Sequence, residues 1–459
     1  MKTITLILLF DKQEHFKMSE SNNLSRRDFV KTAGAAAAAS LVMHDSALAS
    51  LSAPRRRYAI VGTGDRASGM WGRNLVQKYS DVIEVVGLCD INPKRMAAAR
   101  EIMEVQCPTF TNFDQMCNQV KPDLLMVTTV DGFHSDYIAR ALDRGIDVIT
   151  EKPMVIDEKQ CRAVLDAEKR NKRNIVVTFN YRYAPKHQKI KEILMSGEIG
   201  RVISVDFSWY LDVYHGADYF RRWHRLKSKG GSLWVHKATH HFDLINWWLN
   251  ADPVEVSAQG SLEVYGKKGP FRHTHCRPCP HKSQCKFFYD ITKSPVRMKL
   301  YVGAEDVDGY HRDGCVFRED IDIYDTMSAV VKYSSGAHMN YSLNAFMPFE
   351  GYRLAFNGEK GRLEIRDYER QPWPIEVETE VYLTRSFGKR EQIPIAKVEG
   401  GHSGGDSRLQ DLIFRKPEVP AHMRLPDSRA GAMSCLTGIA ARKSVELKRP
   451  VKISELVRL

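Results

Sequence analysis

The sequence predicts an α/β protein in two parts, a doubly wound parallel sheet followed by a strand-rich α+β domain. Three observations carry that expectation. Tyr58-Ala59-Ile60-Val61 is an apolar run that empties into Gly62-Thr63-Gly64-Asp65-Arg66-Ala67-Ser68-Gly69, a glycine turn that opens a helical pattern. From Tyr58 to Thr150, strand-like and helical runs alternate at the pace of a parallel sheet. About 400 residues remain after an N-terminal leader, more than one hydrophobic core ordinarily supports.

The leader is set aside first. Ser25-Arg26-Arg27-Asp28-Phe29-Val30-Lys31 is a twin-arginine pattern, followed by an alanine-rich apolar stretch from Thr32 to Met43 and an Ala47-Leu48-Ala49 cleavage site. Residues 1–53 therefore read as a Tat-type export signal, removed by processing, with the Tat translocation machinery as a transient partner. A periplasmic or otherwise exported chain is expected. No segment is long and apolar enough to predict stable membrane insertion of the mature chain. The net charge of +12 is carried partly by the leader and by Arg55-Arg56-Arg57, with no basic tract interleaved with aromatics, so nucleic acid is not an expected partner.

In the nucleotide domain, placed at 54–153, Gly62 lets the chain turn sharply off the strand and Gly64 lets bare backbone approach a pyrophosphate. Val82 to Asp90 reads as a second buried strand ending in an acid, 26 residues beyond Gly64, where a carboxylate can hold a ribose diol. That carboxylate favours NAD over NADP by repelling a 2′-phosphate, and the nearby Arg95 keeps NADP open. Asn74–Tyr79 and Pro93–Met103 read as helices, Leu124–Thr129 as a strand, Ser135–Arg144 as a helix and Asp147–Thr150 as a strand. Three loops then meet at the carboxyl ends of the strands: the glycine turn, Val130 to His134, and Glu151-Lys152-Pro153.

Glu151-Lys152-Pro153 stands about 90 residues after the glycine turn. With Asp90, His134, Asn180-Tyr181-Arg182 and a Gly230-Gly231 turn before a helix carrying His240 and Asp243, it resembles the glucose-fructose oxidoreductase and inositol dehydrogenase family (Gfo/Idh/MocA) over nearly all of the mature chain. The resemblance implies a Rossmann domain and a second domain, 154–459, for substrate binding and oligomerisation. That domain would be an open, mainly antiparallel sheet whose face covers the nicotinamide, and a homo-oligomer is implied. Strand-like runs at Val202–Tyr210, Pro253–Val264, Thr326–Tyr333, Ala337–Leu343 and Arg362–Ile365 agree. It further implies cofactor contacts from Gly62, Thr63, Gly64, Asp65, Arg66, Asp90, Thr129, His134, Glu151, Lys152 and Asn180, and contacts of Lys152 and His240 with the reacting hydroxyl.

Hydride leaves a secondary alcohol easily only if its hydroxyl proton leaves with it, so a base must touch that oxygen. Lys152 and His240 are the catalytic candidates, since a lysine near another cation or partly desolvated titrates toward neutrality. The chain departs from the family where His236 takes the place of an aspartate. His236, His240 and Asp243 share a helical face, which makes them either a divalent-metal site or, for His236, a hydrogen-bonding partner of substrate. Arg182, Tyr214, His215, Tyr219, Arg222 and Trp223, with His236 and Asp243, form the expected substrate region, rings for a sugar face and polar groups for its hydroxyls. The glycine-rich loop 400–406 either lies over the pocket or is an ordinary connection.

Of nine cysteines, Cys276, Cys279, Cys285 and Cys315 cluster in a long insertion at 265–318 with His273, His275 and His281 nearby. They read as a structural metal knuckle, zinc being the default ion, or as disulfides formed after export. The functional expectation is an exported NAD(P)-dependent oxidoreductase acting on a secondary hydroxyl, C3 among the candidates, of a sugar or glycoside. Because free nicotinamide is scarce outside the cytoplasm, the cofactor should be tightly held and reduced again within one turnover. The alternatives are an NAD-dependent glycosidase working by oxidation, elimination, hydration and re-reduction, and a non-catalytic sugar receptor on the same fold.

Overall fold

Strand β1 (Arg56–Val61) ends in four consecutive buried residues, the pattern of a strand covered on both faces. This computed structural model describes residues 54–396, 398 and 400–458; the twin-arginine segment lies outside the described residues. β2 (Ile83–Cys89), β3 (Thr109–Phe110), β4 (Leu124–Val127), β5 (Asp147–Thr150) and β6 (Ile175–Val177) join β1 in a sheet of order β3-β2-β1-β4-β5-β6. All adjacent pairs are parallel. The order reverses between β1 and β4, which opens a crevice at their carboxyl ends. β6 carries this sheet past residue 153, where the sequence reading ended the first domain, because the chain crosses over through the helix Glu158–Asn171 and returns beside β5.

The helix Pro93–Met103 starts where its sequence signals put it, with the Asn92 side chain accepting from Arg95 N–H and Pro93 in the first turn. The expected helix Ser135–Arg144 is observed as His134–Leu142.

The second half builds a nine-stranded sheet from β7 (Val202–Asp212), β8 (Pro253–Ser261), β9 (Thr326–Tyr333), β10 (His338–Met347), β11 (Glu350–Gly358), β12 (Gly361–Arg370), β13 (Thr379–Arg385), β14 (Arg390–Ile393) and β15 (Val451–Lys452). Its order is β14-β13-β12-β11-β7-β10-β9-β8-β15, antiparallel except where β7 runs parallel to β10. β9 alternates buried and open positions along its length, the period-2 signature of a half-buried strand. The 20-residue helix Ser428–Leu447 packs on β8 and on the helix Ala238–Leu249. Among the described residues no helix is long and apolar enough to cross a membrane.

Two features of this packing position the site. The insertion between β8 and β9 folds back onto the nucleotide domain, where Asn92 Nδ2 donates to the Ala304 carbonyl at 2.8 Å and Lys94 pairs with Asp306 at 2.6 Å. The long helix approaches the turn Leu233–His236 so closely that a Cβ on Gly438 would stand 2.2 Å from the Trp234 carbonyl oxygen. Gly438→Val should therefore cost about 1–3 kcal/mol in denaturant unfolding, an overpacking penalty, whereas Gly303→Ala, whose added carbon meets nothing closer than 3.5 Å, should stay near wild type.

Candidate active site

A cavity of about 920 Å³ opens at the carboxyl ends of β1, β4 and β5, within the size range of cofactor sites. At its nucleotide end Gly62 has φ +85°, and a Cβ there would lie 2.6 Å from the Thr129 backbone nitrogen. Only glycine can make this turn against β4. Gly64 leaves its backbone open to the cavity apart from the Tyr301 hydroxyl, which accepts from Asp65 N–H at 3.0 Å. The Asp90 carboxylate ends β2 at the cavity wall, where it receives Thr63 N–H at 2.7 Å and Asn92 N–H at 3.0 Å. A glycine cradle that a side chain would fill, followed by an acid, is the donor set a dinucleotide requires. Arg95 points at Asp90, 3.5 Å away, and at Asp308, 2.7 Å away.

At the other end the chemistry concentrates on Lys152. Its ammonium donates to the His236 carbonyl at 3.1 Å, and burial pushes its pKa down to about 8. Asp131 and Glu151 oppose that shift; Lys237 and Arg66 add to it. Burial alone would raise the Glu151 carboxyl, but Arg66 Nε and Trp71 Nε1, both at 2.7 Å, hold it below the ordinary range. Asp131 accepts from or donates to His236 Nδ1 across 2.5 Å. Burial drives the Asp131 carboxyl well up, opposed by the Lys152 charge, and burial with the Lys152 charge drives the His236 imidazole well down.

His240 stacks on the Tyr181 ring at 4.2 Å and 9°, and its buried Nδ1 has no partner among the described residues. Burial, reinforced by Lys152 and Lys237, keeps this ring neutral. The cavity continues to His215, Tyr219, Arg222 and Trp223. His215 is fixed between Glu350 at 2.6 Å and the Tyr219 hydroxyl at 2.9 Å, and the Arg222 guanidinium lies 5.5 Å over the Tyr219 ring.

Most of the sequence-predicted residues thus line one cavity: Gly62, Gly64, Asp65, Arg66, Asp90, Thr129, His134, Glu151, Lys152, His236 and His240 join those four. His134 bridges two loops, its ring nitrogens facing the Pro153 carbonyl at 2.8 Å and the Thr129 carbonyl at 3.1 Å. Five residues do not line the cavity. Thr63 turns back to Asp90, and Asn180 donates to Asp406 at 2.5 Å behind the wall. Tyr214 is 72% exposed, with Arg370 over its ring. Asp243 is fully engaged by Arg182 through bonds of 2.7 and 2.5 Å, so neither residue is available to substrate.

The metal expectation on this helix is corrected by the same contacts. Asp243 is taken by Arg182 and His236 by Asp131. Lys237 interrupts the helix between them, and the one group among the described residues with metal-ligand proximity is His275, His311 and Asp313. Lys237, Asp131, Tyr181, His402 and Tyr301 also line the cavity and were not assigned roles from sequence. Asp131 lay inside a loop already singled out, but Tyr301 is 236 residues from the Asp65 it touches, and no local pattern announces it. His402 brings the glycine-rich loop 400–406 to the cavity, its Nδ1 3.0 Å from Asp406.

Comparison with known proteins agrees with this geometry. Residues 56–179 match the model described as oxidoreductase family, NAD-binding Rossmann fold, and residues 191–453 match the oxidoreductase family C-terminal alpha/beta domain. Residues 23–43 match the twin-arginine translocation pathway signal sequence, so the chain carries an export signal. The Bacillus subtilis protein YteT, an oxidoreductase by its name, is 39% identical over 425 residues, covering 88% of this chain and 99% of that one. Inositol 2-dehydrogenase of Salmonella typhimurium is 27% identical over 188 residues, 40% of this chain and 53% of that one. The structure of the WlbA dehydrogenase from Bordetella pertussis, in complex with NADH and UDP-GlcNAcA, superposes with a TM-score of 0.61 at 18% identity, covering 88% of this chain and all of that one. Glycine cradle, Glu-Lys-Pro loop and paired domains together identify the chain as a member of the Gfo/Idh/MocA family of NAD-binding oxidoreductases.

Proposed function

We propose that this exported oxidoreductase acts on a secondary hydroxyl of a sugar or glycoside, with NAD retained through the turnover and Lys152 as the base. The observation that carries the reading is the buried Lys152 amine, depressed to about 8, in the same cavity as the glycine cradle and the neutral His240 ring. In its uncharged form Lys152 accepts the hydroxyl proton, and His240, which lines the same cavity, orients the same oxygen. When bound, the nicotinamide supplies the hydride acceptor and donor. Asp90 and the Gly62–Gly64 turn would hold the nucleotide. Arg95 is neutralised by Asp90 and Asp308, so it supplies no free cation for a 2′-phosphate, which favours NAD. The partial identity to a polyol dehydrogenase supports secondary-alcohol chemistry.

A second reading has its own support in His402, which places an imidazole at the cavity from a separate loop. A ketone formed at C3 acidifies the C2 proton of a glycoside, and a second base removes it as the aglycone leaves. Purified protein incubated with aryl glycosides, without added cofactor, separates the two. A keto-glycoside with its aglycone attached supports the dehydrogenase, and free aglycone with an unoxidised sugar supports the glycosidase.

Lys152→Met should lower the rate of bound-nicotinamide reduction by about 10²–10⁴-fold while the nucleotide content of the purified protein stays unchanged; unaltered kinetics would remove Lys152 from the chemistry. The acting form is the unprotonated amine, so the wild-type oxidation rate should rise with pH through about 8 and then level. His240, already neutral, should add no second inflection above about pH 6, the ordinary imidazole range. A flat profile would contradict the assignment.

A further inference from the structure

The four clustered cysteines lie apart from the catalytic cavity, in the insertion between β8 and β9. Cys276, Cys279, Cys285 and Cys315 face one small, largely apolar cavity closed by Phe271 and Phe287, with room for about one water-sized sphere. None of the nine cysteines is bonded to another. The sulfurs converge without touching: among the described residues no three of them approach one another within 4.8 Å. A single zinc ion bound at about 2.3 Å by four thiolates needs sulfurs roughly 3.8 Å apart and leaves no void at their centre. The observed spacing is wider, and the centre is open.

Polar donors converge on these sulfurs. Phe317 N–H donates to Cys315 Sγ at 3.4 Å, and the backbone N–H groups of Phe287 and Tyr289 are directed at Cys285 and Cys276. Arg221 places a guanidinium nitrogen 3.3 Å from Cys276 Sγ. Four cysteines ligating as thiolates beside one arginine would carry an excess of negative charge that a cationic centre between the sulfurs would offset.

From this geometry we infer that Cys276, Cys279, Cys285 and Cys315 hold an iron–sulfur cluster, a centre wider than a lone zinc ion and ligated by four thiolates. The cluster anchors the wall of the catalytic cavity. Arg221 is followed by the cavity residue Arg222, Arg312 pairs with Asp218 at 2.6 Å on the same short helix, and the insertion carries Tyr301 and Asp308 to the nucleotide cradle.

The test is metal and sulfide analysis of the full chain, isolated without oxygen and, in parallel, reconstituted with ferrous iron and sulfide. About two to four iron atoms with matching acid-labile sulfide, and a visible absorption bleached by dithionite, are expected. Cys276→Ser and Cys315→Ser should each lower iron at least twofold and should lower nucleotide content as well; Cys107→Ser, outside the quartet, should change neither. Wild-type protein that carries one zinc and takes up no iron would overturn the inference. So would wild-type protein that gains four thiols on reduction, with no metal bound before or after reconstitution.

Discussion

A buried ammonium group is the constraint on which the site depends. Taking Lys152 out of water disfavours its charge by an amount that two carboxylates only partly restore, and two further cations, Lys237 and Arg66, keep the balance tilted. Each neighbour is itself held in place. Glu151 is fixed by Arg66 and Trp71, Asp131 by His236, and the His236 carbonyl receives the Lys152 proton donor. The result is an amine poised for proton transfer near neutral pH, in a wall whose other bases, His236 and His240, burial keeps uncharged.

The fold makes this possible by bringing together segments distant in the chain. The parallel sheet supplies the glycine turn and the Glu-Lys-Pro loop at its switch point. The helix Ala238–Leu249, pressed on by Ser428–Leu447, supplies His240, and β11 supplies the Glu350 that orients His215. The insertion supplies Tyr301 and Asp308 over the nucleotide end. The cavity is therefore lined from both domains.

How much of this was legible in the sequence follows from the range of each interaction. The glycine turn, the acid ending β2 and the helix Pro93–Met103 are set by local backbone geometry and capping, and these were read within a residue or two. That Lys152 and His240 line the cavity was readable because the Glu-Lys-Pro loop and the helix after Gly230-Gly231 carry a family pattern. Asp243 and Arg182 were misplaced because side-chain pairing decides their direction: both belong to the pattern, yet they satisfy each other and face away from the cavity. Tyr214 misled through composition, lying in an aromatic-rich stretch but on the solvent side. The metal face failed where periodicity was extended through Lys237, at which the helix breaks. Tyr301, Lys237 and His402 act through tertiary contacts that no spacing encodes.

The most direct test is a crystal structure of the protein with its nicotinamide nucleotide and an unreactive sugar. The account predicts the phosphates on the Gly62–Gly64 turn and the nicotinamide ring on the wall formed by Lys152 and His240, with the sugar hydroxyl in hydrogen-bond reach of the Lys152 amine. A ring bound elsewhere, or a sugar whose hydroxyls meet neither group, would contradict it.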